Sequence, residues 1–269
     1  MTSPRSRRPK PWALALAIAL SVVLAGAPQA GAASPAAIPV AGHVGSIPTV
    51  GPLFFGGPTA AHRCTATVVS SPAGNLILTA AHCISGTGAG VLFAPGYLNG
   101  ATPYGVWTVS NAFVDSSWTA TANSQDDFAV LRIAPQVRGG HLVSLQSVTG
   151  GNLLSLAPRS GTTITVPAYA AGINDAPISC RTKSYVYLGY SAFDCHGYVG
   201  GTSGSPMLVP TSRPGLNAVA GVIGGLHQGG CVEYTSYSSA FRETVIGLWL
   251  RAIWNRSPDV VRRPGSDGC

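Results

Sequence analysis

Between Val50 and Tyr237 the apolar residues come in short runs, each closed by Gly, Pro, Asn or Ser. Leu53-Phe54-Phe55 runs into Gly56-Gly57, Ala66 to Val69 into Ser70-Ser71-Pro72, and Leu76-Ile77-Leu78 follows Gly74-Asn75. Tyr104 to Val109, Phe128 to Ile133, Thr162 to Val166, Tyr185 to Leu188, Met207 to Val209 and Val219 to Ile223 repeat the pattern. Runs of this length between turn formers predict β-strands. They fall into two groups, about 49–135 and about 150–240, joined by a connection over Pro135 to Gly151. The period changes once. Val245, Leu248, Trp249 and Ile253 stand at helical spacing, which predicts one amphipathic helix over 241–256 packed on a β-body. Residues 257–269 are polar and turn-rich and read as a tail, with Arg262-Arg263 as a solvated basic pair. Residues 33–48 lack periodicity and read as an N-terminal arm or short propeptide. The fold class expected is therefore all-β.

Composition sharpens this. Hydrophobic residues make up 46% of the chain and charged residues only 9%. A usual domain carries roughly 25% charged residues, so this surface must be built from Ser, Thr, Asn, Gln and Gly. Disorder, which needs low hydrophobicity and high charge, is excluded. The 34 Gly have no three-residue period, so collagen is excluded as well. Much of the net charge of +7 comes from Arg5, Arg7, Arg8 and Lys10. The body of the chain has no basic cluster and hence no footprint for nucleic acid.

Those N-terminal cations have another explanation. Met1 to Lys10 is basic, Trp12 to Ala25 is uncharged and mostly apolar, and Ala30-Gly31-Ala32 fits a small-x-small cleavage site. This layout predicts a signal peptide over 1–32 and a secreted product. The apolar stretch is short of the ~20 residues a membrane span needs, so no membrane association is expected after cleavage. Export places Cys64, Cys83, Cys180, Cys195, Cys231 and Cys269 in an oxidising space and predicts three disulfides, whose pairing the count alone leaves open. No CxxC or His-x3-His spacing suggests a metal, and no cofactor is implied.

Three segments carry candidate chemistry. In Leu78-Thr79-Ala80-Ala81-His82-Cys83, the imidazole ends an apolar strand beside a cysteine that could pin it through Cys64. A general base needs such positioning. In Asp126-Asp127-Phe128-Ala129-Val130-Leu131, Asp127 adjoins a buried run, where a carboxylate is costly without a partner such as an imidazole N–H. Asp126 reads as a solvated turn residue. In Gly200-Gly201-Thr202-Ser203-Gly204-Ser205-Pro206, glycines allow a tight turn around a nucleophilic Ser203, with the N–H groups of Gly201 and Ser203 able to converge on an oxyanion. Ser205 is a potential decoy.

Taken together, Thr79 to Cys83, Asp127 to Leu131 and Gly201 to Pro206 resemble the chymotrypsin-like serine protease family, in the family's order of His, Asp and Ser. The order is not that of an α/β-hydrolase, where Ser comes first within Gly-x-Ser-x-Gly. The resemblance spans about Val50 to Arg256. It implies two six-stranded antiparallel β-barrels with a C-terminal helix and a catalytic cleft between the barrels. It also implies a monomeric secreted endopeptidase that acts on polypeptides through His82, Asp127 and Ser203, with Gly201 and Ser203 forming the oxyanion hole. Cys64–Cys83 and Cys180–Cys195 are the disulfides expected on this basis, and Cys231 and Cys269 remain for each other.

Departures from the family are informative. Thr202 stands where trypsin-type enzymes carry the aspartate that pairs with a new N-terminal amine, so that mode of activation is not expected. Gly197, six residues before Ser203, replaces trypsin's acidic pocket floor, and cleavage after Lys or Arg is not expected. The pattern is closest to the glutamyl-endopeptidase-like branch. Tyr198 to Gly200 and the segment Gly225 to Gly230 should wall the pocket, with His227 offering a charge-assisted hydrogen bond to an acidic side chain. Gly229 and Gly230 suit pairing with an extended substrate. The competing classes are an inactive secreted binding protein on the same scaffold and an esterase using the same triad.

Overall fold

The computed structural model describes residues 37–254, 257–266 and 268–269; the expected signal peptide lies outside them. The strands in chain order are β1 (Gly42–His43), β2 (Val50–Phe54), β3 (Thr65–Val69), β4 (Leu76–Thr79), β5 (Leu92–Phe93), β6 (Trp107–Val114) and β7 (Ala129–Ile133). Then come β8 (Gln136–Arg138), β9 (His141–Val143), β10 (Leu153–Leu154), β11 (Thr163–Ala168), β12 (Ile178–Tyr187), β13 (Tyr190–Asp194), β14 (Pro206–Pro210), β15 (Asn217–Val222) and β16 (Thr235–Ser238). The helices are α1 (Ser116–Thr121), α2 (Leu145–Thr149) and α3 (Glu243–Ile253).

The first group of strands closes into a barrel in the order β2-β3-β4-β7-β6-β5. Alternation along the strands explains why these runs are apolar throughout. Ile77, Ala129, Leu131 and Ile133 point into the barrel with Leu53, Val68 and Trp107. Their neighbours Leu76, Leu78, Phe128 and Val130 point outward and are buried again, against Leu208, Val219 and Val222 of the second half and Phe241, Val245 and Leu248 near and along α3. A strand covered on both faces reads as a continuous hydrophobic run. The ends of β4 and β7 therefore lie at the seam between the two halves, and His82 and Asp127 sit at those ends.

The second group forms an eight-stranded sheet, β10-β15-β14-β11-β12-β13-β16, with β1 added to β12. β10 runs parallel to β15, and the other pairings are antiparallel. The end of β15 meets β16 without a regular ladder. The Val222 N–H donates to Ser238 Oγ at 3.0 Å and the Gly224 N–H to the Tyr237 carbonyl at 2.9 Å. The expected second barrel is thus built from β11 to β16 and brought together at this seam, with β1 and β10 as additions. β1 shows that the end of the arm docks on the second sheet, through Gly42 opposite Ser179 and His43 opposite Ile178.

The helix α3 buries Val245, Leu248 and Ala252, while the Trp249 indole N–H donates to the Ser70 carbonyl at 3.1 Å. The connection over Pro135 to Gly151 contains the β8–β9 hairpin and α2. The three disulfides are Cys64–Cys83, Cys180–Cys195 and Cys231–Cys269. The tail differs from the solvated segment expected. Val261 is buried and bridges to Gly86, and Asp259 accepts from the Val114 N–H at 2.9 Å and pairs with Arg251.

Candidate active site

β4 ends at Thr79, and the chain turns through a short 3-10 segment, Ala81–Cys83, that carries His82. The Cys83 disulfide to Cys64 holds this turn against the strand β3. Asp127 lies between a second 3-10 turn, Ser124–Asp126, and β7, and it is fully buried. Its carboxylate accepts three hydrogen bonds. The His82 N–H donates to Oδ1 at 2.9 Å, His82 Nδ1 to Oδ2 at 2.7 Å, and the Gly225 N–H to Oδ2 at 2.8 Å. The Asp127 N–H in turn donates to Ser239 Oγ at 3.0 Å, and that hydroxyl donates to the Ser124 carbonyl at 2.8 Å. A buried carboxylate with this many donors is satisfied as an anion. Because Nδ1 carries the proton donated to Asp127, Nε2 is left as the acceptor.

Ser203 lines the same pocket as His82. Its turn is shaped by two glycines that nothing larger could replace. Gly201 has φ +98, and a Cβ there would lie 2.0 Å from the Ala171 nitrogen. Gly204 has φ +82, and its Cβ would lie 2.1 Å from the Thr65 carbonyl oxygen. The turn is tied to both halves. The Thr65 N–H donates to the Ser203 carbonyl at 2.7 Å, the Gly204 N–H to Ile223 at 2.7 Å, and the Ala171 N–H to Gly200 at 2.8 Å. The N–H groups of Gly201 and Ser203 donate to no acceptor among the described residues, so both can serve a ligand oxygen. Ser205 is completely buried, which removes it as a competing nucleophile. Thr202 is buried and donates its hydroxyl to the Val199 carbonyl at 2.8 Å.

One wall of this pocket comes from Tyr198, Val199, Gly200 and Ile223, and the other from His227 to Glu233. Tyr198 contributes ring surface only. Its hydroxyl donates to the Val166 carbonyl, and burial pushes its pKa far above the tyrosine range. His227 and Gln228 both adopt left-handed backbone, with φ +51 at each, which turns the chain sharply into Gly229 and Gly230. Both glycines have positive φ, and a Cβ on Gly230 would lie 2.4 Å from the Thr235 carbonyl oxygen. No local pattern in the sequence marks Glu233, which lines the same pocket. Its carboxylate accepts from the Gly197 N–H at 2.6 Å and from His196 Nδ1 at 2.6 Å. These two donors, the Gly197 N–H first, hold its pKa below the usual glutamate value. The position where the acidic floor is missing from the sequence is thus itself bound to a carboxylate that reaches it from the opposite wall.

Two groups, Cys64, His82 and Cys83 and then His227, Cys231 and Cys269, bring three potential metal donors within 4.8 Å of one another. Their sulfurs are joined in disulfides and cannot act as thiolate ligands.

Next to the loop that supports the 200–204 turn lies a second histidine–carboxylate pair, which no local motif marks. His62 is fully buried among Phe54, Tyr97 and Tyr169, and its Nε2 is 2.7 Å from Asp175 Oδ1. The backbones of His62 and Gly172 exchange hydrogen bonds at 2.9 and 3.3 Å, next to the Ala171 that braces Gly200.

With this geometry in hand, comparison with known proteins is informative. The Trypsin family model matches residues 41–239. No curated protein matches the chain. Among solved structures, the chain is similar to Protease Anisep from Arthrobacter nicotinovorans, at 23% identity and a TM-score of 0.66, over 80% of this chain and 100% of that one. It is similar to a Glu endopeptidase in complex with MPD, at 18% identity and a TM-score of 0.61, over 81% of this chain and 98% of that one. It also resembles a mutant of human heparin binding protein, at 14% identity and a TM-score of 0.58, over 82% and 99%. The family match covers most of the chain, and this protein therefore belongs to the trypsin family and is a serine endopeptidase of that fold.

Proposed function

We propose that this secreted endopeptidase hydrolyses peptide bonds through Ser203, His82 and Asp127. Ser203 Oγ attacks the scissile carbonyl while His82 Nε2 takes its proton. The oxyanion is held by the N–H groups of Gly201 and Ser203. His82 then gives the proton to the leaving amine, and water, activated by the same imidazole, releases the acyl group. Asp127 orients the ring and stabilises the imidazolium. The observation that carries this reading is the fully buried Asp127 carboxylate bonded to His82 Nδ1 at 2.7 Å, on an imidazole that shares its pocket with Ser203. The substrate's acyl side extends along Gly229 and Gly230 by strand addition. Three disulfides and the leader pattern support an extracellular site of action.

For the residue before the scissile bond, His227 supports a preference for an acidic side chain, which a cationic or donating imidazole would bind. A second reading is favoured by Glu233. Its ionised carboxylate in the same pocket repels an acidic side chain and attracts a Lys or Arg. Cleavage of a mixed peptide library by the secreted protein, with Ser203→Ala as control, tests both levels. The wild type should cut and the variant should not, and the residue before the cut decides between His227 and Glu233. No cutting by either protein would contradict the catalytic assignment.

A further inference from the structure

The C-terminal tail borders a pocket that also contains Ser203 and His82. The Gly86 N–H donates to the Val261 carbonyl at 3.0 Å, and the Val261 N–H returns a bond to Gly86 at 2.7 Å. The Arg262 guanidinium donates to the Ala120 carbonyl at 2.7 Å, and Gln228 Nε2 donates to the Gly265 carbonyl at 3.2 Å. Cys269 closes the stretch by its disulfide to Cys231, in the wall of the acyl-side pocket. Arg263 is therefore held inside a segment pinned on both sides, first to the β-barrel and then to the second half. Such a segment presents its side chain at a defined place, unlike a frayed terminus.

Arg263 lines a second pocket, together with Arg63 and the Cys64–Cys83 disulfide, and Ser203 and His82 line that pocket too. The Arg63 guanidinium lies over the Phe55 ring at 4.8 Å, which limits where it can swing. Among the described residues this pocket has no carboxylate in its lining, and neither arginine is paired with one. In a chain with only 9% charged residues, Arg63 and Arg263 give the side of this pocket away from Asp127 a cationic rim.

The two pockets share Ser203, His82 and Gln228 and then diverge, one toward Gly229 and Gly230, the other toward the Cys64–Cys83 disulfide. If the acyl part of the substrate fills the first, the residues beyond the scissile bond enter the second. We propose that this leaving-group pocket selects polypeptides with Asp or Glu in the first two positions after the scissile bond, with Arg63 and Arg263 as the specificity-determining residues. The inference rests on the reading of Ser203 as nucleophile. A guanidinium pairs with a carboxylate in a planar, two-pronged contact. Both arginines are exposed, so each contact is modest, about two- to fivefold in kcat/KM.

The test uses matched peptides that differ only at these two positions, Asp or Glu against Lys, and reads the acidic-to-basic ratio of kcat/KM. Wild type should favour the acidic peptide by roughly tenfold at low salt, and added salt should shrink the ratio. Arg63→Gln and Arg263→Gln should each lower it about two- to fivefold. Cys269→Ser keeps both arginines but unpins the tail, and should lower the ratio in the same direction. A uniform loss of activity cannot mimic a changed ratio. A wild-type ratio near one, or one that survives in the double arginine variant, overturns the inference. A second arm measures binding of fluorescein-labelled acidic and basic peptides to Ser203→Ala by anisotropy. If acidic peptides bind better but wild type cuts nothing, the nucleophile assignment fails and the arginine inference stands. If wild type cuts with no acidic preference in either arm, the reverse holds.

Discussion

His62 and Asp175, 113 residues apart in the chain, form a 2.7 Å contact beside the loop that is hydrogen-bonded to the turn carrying Ser203. The pair ties the β2–β3 connection to the β11–β12 connection. From there Gly172 and Ala171 pass the constraint to Gly200 and Gly201. Thr202 cannot form the ion pair through which trypsin-type enzymes order this region after cleavage, and we predict that the His62–Asp175 contact braces it instead. Asp175→Asn should lower stability by about 1–3 kcal/mol, because a fully buried imidazole loses its charged partner while Asp175 itself is partly solvated. It should also lower kcat more than KM. Urea unfolding and steady-state kinetics measure both, and a loss of stability with kcat unchanged would show a brace with no reach to the oxyanion turn.

Asp127→Asn should leave the fold intact and reduce kcat by about 10³–10⁴, the scale expected when the orienting carboxylate of such a triad is neutralised. An amide placed against three donors must turn its own N–H₂ toward at least one of them. Kinetics on a good peptide substrate, with circular dichroism as the control for folding, tests this. A loss smaller than tenfold would count against Asp127 as the orienting group.

Gly201→Ala should cost about 10²–10³ in kcat, the usual cost of losing an oxyanion donor. Its Cβ would sit 2.0 Å from the Ala171 backbone nitrogen, so the turn must move. The effect should fall on kcat for peptide and ester alike. Retention of full activity would mean that the Gly201 N–H does not face the oxyanion.

Glu233 gives a pH signature. Its folded pKa is depressed, so its charge, and any stability it contributes, is present above the unfolded value and is lost only as pH falls through the lower folded value. Its influence on the residue before the scissile bond should therefore stay flat from neutrality down through about pH 4.3 and change only below that. The measurement is the pH profile of that preference in His196→Asn, compared with the double variant that also carries Glu233→Gln, so that the imidazole bonded to Glu233 does not contribute. A change centred above the ordinary glutamate value would contradict the assignment.

Removing the Cys231–Cys269 disulfide by Cys269→Ser should lower stability by at most about 4 kcal/mol, the chain-entropy limit for a loop of 38 residues. The tail should also become open to limited proteolysis after Val261. Mass spectrometry of the nicked product reads this directly. Equal resistance in both proteins would mean that the Gly86 and Gln228 contacts hold the tail without the disulfide.

Much of the site is legible in the sequence because its parts are local. His82, Asp127 and Ser203 each stand in a short pattern of strand end, buried-run flank or glycine turn, and each pattern follows from backbone and burial rules acting over a few residues. Strands β2, β3, β4 and β7 are legible for the same reason, since burial on both faces produces unbroken apolar runs, whereas β6 runs Trp107–Val114 rather than Tyr104 to Val109, with exposed and half-buried positions among its buried ones, and β5 has only two residues. What escaped reading depends on distant pairing. Nothing near His62 announces Asp175, and nothing near Gly197 announces Glu233, 36 residues on. The tail looked solvated because its composition is polar, yet Val261 and Cys269 tie it to the barrel and the pocket wall. The short edge strands β1 and β10 carry too few residues for any period to show.

Covalent labelling of the purified protein with a small fluorophosphonate, followed by mass-spectrometric location of the adduct, tests Ser203 as the nucleophile most directly. One adduct is expected, on Ser203, formed rapidly in wild type, slowed severely in His82→Ala and absent in Ser203→Ala. A label on any other residue, or an equal rate without His82, would contradict Ser203 as the nucleophile.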